Sequence, residues 1–115
     1  MGRYAIKISE YKNFTRNFNK LVGSKEREVL HNKLNDSPEI GDLIPGSGGL
    51  RKLRWSRPGM GKRGGVRIIY YFYSIEVPLC LFDVFAKNDK ADLSKSNLKK
   101  LSELAALVKL EYKRK

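Results

Sequence analysis

Apolar positions change their period several times along the chain, and each change marks an element. Tyr4, Ile6 and Ile8 alternate within Arg3 to Ile8, the two-residue period of a short first strand. Tyr11, Phe14, Phe18, Leu21 and Val22 then recur at helical spacing, which predicts a helix over Glu10 to Val22 stopped by Gly23. A second helix starts at Ser24, carries Val29, Leu30 and Leu34, and ends by Ser37 because Pro38 cannot continue it. Asp36 to Gly49, rich in glycine, proline, serine and aspartate, reads as loop. Leu50 to Trp55 is a strand with Lys52 and Arg54 on one face and Leu53 and Trp55 on the other. Arg57 to Gly65 reads as a flexible, basic hairpin connection, and β-branched, aromatic Val66 to Tyr73 as the strongest strand. After a turn at Ser74 to Pro78, Leu79 to Phe85 is apolar on both sides, as a central strand is. Ser94 is placed to cap a last helix with an apolar face of Leu98, Leu101, Leu104, Ala105, Val108 and Tyr112. The order β-α-α-β-β-β-α predicts an α+β fold, a small antiparallel sheet with helices packed on it, and one domain over residues 1–115.

Composition narrows the chemistry. With 41% hydrophobic and 31% charged residues the chain can fold and is not a disordered polycation. No apolar stretch nears the roughly 18 residues that span a bilayer, and Met1 to Ser9 lacks the apolar core of a leader, so a cytoplasmic location is the default expectation. A single cysteine, Cys80, excludes an internal disulfide; with His31 as the lone histidine, a His/Cys zinc site is excluded too. One histidine with no local nucleophile motif also argues against Ser-His-Asp and Cys-His catalysis. Cys80 reads as a small buried hydrophobe and His31 as a surface or helix-packing residue.

The charge of +12 is concentrated. Arg51, Lys52, Arg54, Arg57, Lys62, Arg63 and Arg67 fall in one 17-residue window that holds no acid. An unbroken cluster of like charge costs self-repulsion unless a polyanion meets it, which favours nucleic acid over a membrane surface as the partner. The glycines at 46, 48 and 49 precede a strand and not a helix, so they form a flexible loop and no phosphate-cradling P-loop. Trp55 reads as core. Tyr70 and Tyr71 alternate, so one is expected inside and the other exposed.

Two segments carry a resemblance: Gly41-Asp42-Leu43-Ile44-Pro45-Gly46-Ser47-Gly48-Gly49-Leu50-Arg51-Lys52-Leu53-Arg54 and Gly61-Lys62-Arg63-Gly64-Gly65-Val66-Arg67-Ile68-Ile69-Tyr70-Tyr71. Together with Phe85-Ala86-Lys87-Asn88-Asp89 and Asp92-Leu93-Ser94 they resemble the HigB/RelE family of bacterial toxins, nearest the HigB-type branch, over nearly the whole chain. The resemblance implies a toxin of a toxin–antitoxin pair that cuts messenger RNA in the ribosomal A site without metal or cofactor. The implied reaction is attack of a ribose 2′-OH on the adjacent phosphate, leaving a 2′,3′-cyclic phosphate. Since the substrate brings its own nucleophile, the protein need only orient it, neutralise the phosphate and move protons, work suited to arginine and lysine. By the same resemblance Lys52 and Arg54 match a basic pair with base or phosphate-stabilising roles, Arg67 a phosphate ligand, and Lys87 a further basic group of the catalytic set. Arg51, Arg57, Lys62 and Arg63 are candidate RNA contacts, and Tyr71, or Tyr73, a candidate stacking ring. Asn88 and Ser94 stand where the best-studied pattern has an arginine and a stacking tyrosine. Expected partners are a helix-turn-helix, HigA-like antitoxin, the ribosome and mRNA, with operator DNA reached only through the antitoxin and no membrane. The competing readings are a non-catalytic RNA- or ribosome-binding protein and a ParE-like gyrase poison, against which the full basic set argues.

Overall fold

The computed structural model describes residues 6–59, 61–86 and 94–113, with side chains outside 61–64. The elements are β1 (Ile8–Glu10), α1 (Lys12–Leu21), a 3-10 turn at Ser24–Glu26, α2 (Arg27–Asp36), β2 (Asp42–Leu43), β3 (Leu50–Arg57), β4 (Gly61–Tyr71), β5 (Leu79–Ala86) and α3 (Lys95–Lys113). The five strands form one sheet in the order β1-β5-β4-β3-β2. The sheet is mixed, not antiparallel throughout: β1 runs parallel to β5, with Ile8 opposite Leu79. Leu79 to Phe82 are buried on both faces, so β5 needs a neighbour on each side. The chain supplies the outer one with β1, from which α1 and α2 lead across to β2 at the opposite edge of the sheet. That strand ends two residues later than alternation suggested, because Tyr11 is still extended and donates its N–H to Leu81 O at 2.9 Å.

Helices cover both faces. Phe14 and Phe18 of α1 and Leu30 and Leu34 of α2 pack on Leu53, Val66, Ile68, Tyr70, Leu79, Leu81 and Val84, with Trp55 at the margin as core. On the other face Leu98, Leu101, Leu104, Ala105 and Val108 of α3 rest on Leu50, Ile69, Tyr71, Cys80 and Phe82. Ser94 caps α3 by accepting the Asn97 N–H at 3.1 Å. This two-sided burial corrects the expectation for the tyrosine pair. Tyr70 and Tyr71 do face opposite ways, yet they are 0% and 3% exposed, because neither face is left to solvent at their level.

Two further corrections concern loops. The connection between β3 and β4 is short: Arg57 already pairs with Gly61, so most of the expected hairpin loop is strand. The glycine-rich turn before β3 is pinned and not flexible. Buried Ser47 donates its hydroxyl to Ile44 O at 2.6 Å and accepts the Leu50 N–H at 3.0 Å, and Ile44 N–H reaches Leu50 O at 2.9 Å. Gly49, at φ 109°, lies over the Tyr71 ring, where a β-carbon would come within 3.1 Å.

Tyr70 anchors the opposite end of that loop. Its hydroxyl donates to Pro38 O and accepts from Gly41 N–H, both at 2.8 Å, and burial raises its pKa. Gly41 has no room for a side chain, since a β-carbon there would meet the Tyr70 ring at 2.7 Å. Tyr70→Phe leaves a buried N–H and carbonyl unpaired and should cost about 1–3 kcal/mol in urea unfolding without changing the fold.

Glu10, at the end of β1, ties strand to helices. It accepts two bonds from Arg27 (2.8 and 3.1 Å) and one from the Thr15 hydroxyl (2.7 Å), and lies 2.6 Å from His31 Nε2. His31 is thus a helix-packing residue. Burial raises the Glu10 pKa, but the bonds from Arg27, Thr15 and His31 outweigh it and hold the carboxyl below its ordinary 4.5. A carboxyl whose folded value is depressed stabilises the fold above its unfolded value and loses that contribution as pH falls through the folded one. The melting temperature of the wild type should therefore drop more steeply than that of Glu10→Gln between about pH 5 and pH 3.

Candidate functional site

The basic cluster is organised by the register of β3 and β4. Arg54 lies directly opposite Arg67, and Lys52 opposite Ile69. Opposed residues of an antiparallel pair project from the same face, as do residues two apart on one strand. Lys52, Arg54 and Arg67 therefore share the face on which α3 packs, beyond the apolar patch it covers. Lys52 and Arg54 are exposed and Arg67 is half-buried.

The described surroundings leave the charge uncompensated. None of the three makes a hydrogen bond or ion pair with another described residue. Asp42 stands across from Lys52 in β2 without reaching it, and Asp83 is turned to Asn17 Nδ2 at 3.0 Å and to the Val84 N–H. Two guanidinium groups on directly opposed positions repel, a cost of roughly 0.2–1 kcal/mol that the sheet carries. β2 pairs only with Arg51 and Lys52, so β3 from Leu53 onward lines the open edge of the sheet. Such an arrangement attracts an anion wide enough to touch several cations.

The other candidate residues distribute differently. Arg51 points to the opposite face, where its guanidinium donates to Glu39 O (3.0 Å) and Gly41 O (2.7 Å) and clamps the loop before β2. Arg57 reaches back to the C-terminal end of α1, at 3.5 Å from Leu21 O. Neither joins the trio. Lys62 and Arg63 lie on β4, five and four residues before Arg67, with side chains outside the described set; Lys87 lies outside the described residues altogether. Tyr71 is sealed beneath Gly49 and α3, so its ring is not offered to a ligand. Tyr73 is exposed but carries Lys109 Nζ over its ring at 4.3 Å, at the far end of β4 from the trio. Burial pushes the Cys80 thiol up to about 11, which removes it as a nucleophile at neutral pH. Sequence reasoning missed Phe85. It sits opposite Arg67 across β4 and β5, on the same face and only partly buried; a register shift between Ile69 and Tyr70 puts it there, where straight counting from the Tyr71–Cys80 pair gives Val84, so nothing in the sequence pattern locates it.

A family model for the RelE toxin of the RelE / RelB toxin-antitoxin system matches residues 15–115. The chain belongs to the RelE toxin family. As a RelE toxin it is the toxin component of such a pair, and the family implies an antitoxin as its partner. The α+β architecture, a five-stranded mixed sheet with three helices, agrees with a RelE-like fold. Among the described residues no helix of this RelE protein is long and apolar enough to cross a membrane, and no three His, Cys, Asp or Glu side chains gather where they could hold a metal ion.

Proposed function

We propose that this RelE toxin, of the HigB type, is a ribosome-dependent endoribonuclease that cuts mRNA through the face formed by Lys52, Arg54 and Arg67. The observation that carries the reading is three cations on two paired strands with no partner among the described residues. In the proposed reaction a ribose 2′-oxygen bonds to the adjacent phosphorus and the 5′-oxygen of the next nucleotide leaves. The 2′-OH proton passes to solvent water, while Lys52, Arg54 and Arg67 hold the non-bridging oxygens as charge builds on them. The products are a 2′,3′-cyclic phosphate and a 5′-hydroxyl, with a proton delivered to the leaving oxygen. We extend the proposal to Lys87 as a further catalytic cation and to Lys62 and Arg63 as RNA contacts, and Phe85 offers the aromatic edge beside Arg67 for a base. No cofactor enters the scheme. The protein acts in the cytoplasm, as a single domain, and a helix-turn-helix antitoxin silences it by covering this strand pair or its approach.

The decisive experiment is translation of a defined message in a cell-free extract, with new 5′ ends mapped. New ends in frame with codons, present only while ribosomes translate, are expected. A message that stays intact while protein synthesis stops would overturn the nuclease reading in favour of simple ribosome binding. Charge-based silencing also has a consequence: antitoxin affinity should fall with added salt, measured by titration calorimetry, if its acidic groups meet this face.

A further inference from the structure

Two segments of this strongly basic protein are locally acidic. Residues 36–44 hold Asp36, Glu39 and Asp42 with no lysine or arginine, and the turn between β4 and β5 adds Glu76. Between these two segments lies an open depression of about 680 Å³, lined among others by Asp36, Pro38, Glu39, Ile40, Phe72 and Ile75. Its rim is apolar as well as acidic: Ile40 and Ile75 are 39% and 55% exposed, and Phe72 is half-buried below them. The Glu39 carboxylate is 70% exposed, with Arg51 Nη2 a distant 4.0 Å away. Asp36 and Ser37 close α2, so the negative end of that helix faces the same region, offset one turn back by Lys33.

We infer that this depression docks a cationic, amphipathic peptide segment of a partner protein, separate from the basic face. An apolar side chain of the segment would enter between Ile40 and Ile75, and its lysines or arginines would lie against Glu39, Asp36 and Glu76. The volume suits one or two bulky side chains. The carboxylates repel a phosphate backbone, so RNA is the wrong occupant, and in a chain of +12 they offer a basic segment a neighbourhood of opposite charge. The inference does not depend on the cleavage reaction, and its readout uses no RNA.

The test uses the full chain with isotope-labelled isoleucine methyl groups, titrated with a synthetic helical peptide of about 14 residues built from leucine and lysine in an amphipathic pattern. The control peptide carries glutamate in place of lysine. Saturable shifts of the Ile40 and Ile75 methyl signals with the lysine peptide alone are expected. Glu39→Lys, a change at an exposed position, and Ile75→Ser should each weaken binding by about tenfold, with circular dichroism unchanged. Unmoved Ile40 and Ile75 signals, equal shifts with both peptides, or undiminished binding by folded Glu39→Lys would overturn the inference. Shifts that grow with protein concentration before any peptide is added would overturn it too, by assigning the depression to a second copy of the chain.

Discussion

Arg67→Ala should abolish mRNA cleavage, by about 100- to 1000-fold, while leaving the protein folded and bound to ribosomes. Arg67 sits on a stiff strand between Val66 and Ile68, both fully buried, so the backbone that carries its guanidinium is fixed, as the proposed contact with a transition-state phosphate requires. It also faces Arg54 across the pair with no carboxylate in reach among the described residues, so its loss relieves repulsion. The variant should therefore melt no earlier than the wild type. Loss of activity together with unchanged or raised stability marks a residue kept for chemistry. The alternative, that Arg67 anchors the sheet through Asp83 or Glu76, predicts an unfolded variant, and Asp83 is already engaged with Asn17. Cleavage by single-turnover assay and thermal unfolding by circular dichroism read the two effects separately.

The second large effect separates the two aromatic residues of the same face. Tyr71→Ala should cost about 3–5 kcal/mol of stability, because a fully enclosed ring beneath Gly49 and α3 leaves a cavity when removed. Against a total of roughly 5–15 kcal/mol this unfolds a large part of the population, so its activity falls with its folded fraction. Phe85→Ala, at a partly buried position opposite Arg67, should lose less stability and more activity per folded molecule. Urea unfolding combined with cleavage rates normalised to folded protein distinguishes them; equal normalised rates for Phe85→Ala and wild type would remove Phe85 from the site.

The contrast shows where sequence patterns stop. Helical spacing of Phe14, Phe18, Leu30 and Leu34 was legible because one face of each helix is buried, and the alternation of Lys52 with Leu53 set the strand faces. The pairing of Arg54 with Arg67 was not, since it depends on how short the β3–β4 connection is, and basic, glycine-rich residues there looked like loop but extend the strand. Tyr71 misled for a related reason. Alternation reports which face a side chain takes, not whether a helix 30 residues later covers that face. Arg51 belongs with the basic window in sequence, yet an odd position on β3 sends it to the other face, where loop carbonyls of Glu39 and Gly41 hold it. The parallel pairing of β1 was invisible because nothing local records which strand lies at its side.

The claim that this strand pair cuts RNA by 2′-OH attack is tested most directly by the chemistry of the ends. Message recovered from a translating extract can be captured with a ligase that requires a 2′,3′-cyclic phosphate, in parallel for wild type and Arg67→Ala. Wild type should give abundant captured 3′ ends paired with 5′-hydroxyl fragments, and Arg67→Ala almost none. Cleaved fragments bearing 3′-hydroxyl and 5′-phosphate ends, or equal capture from the folded Arg67→Ala variant, would contradict the assignment.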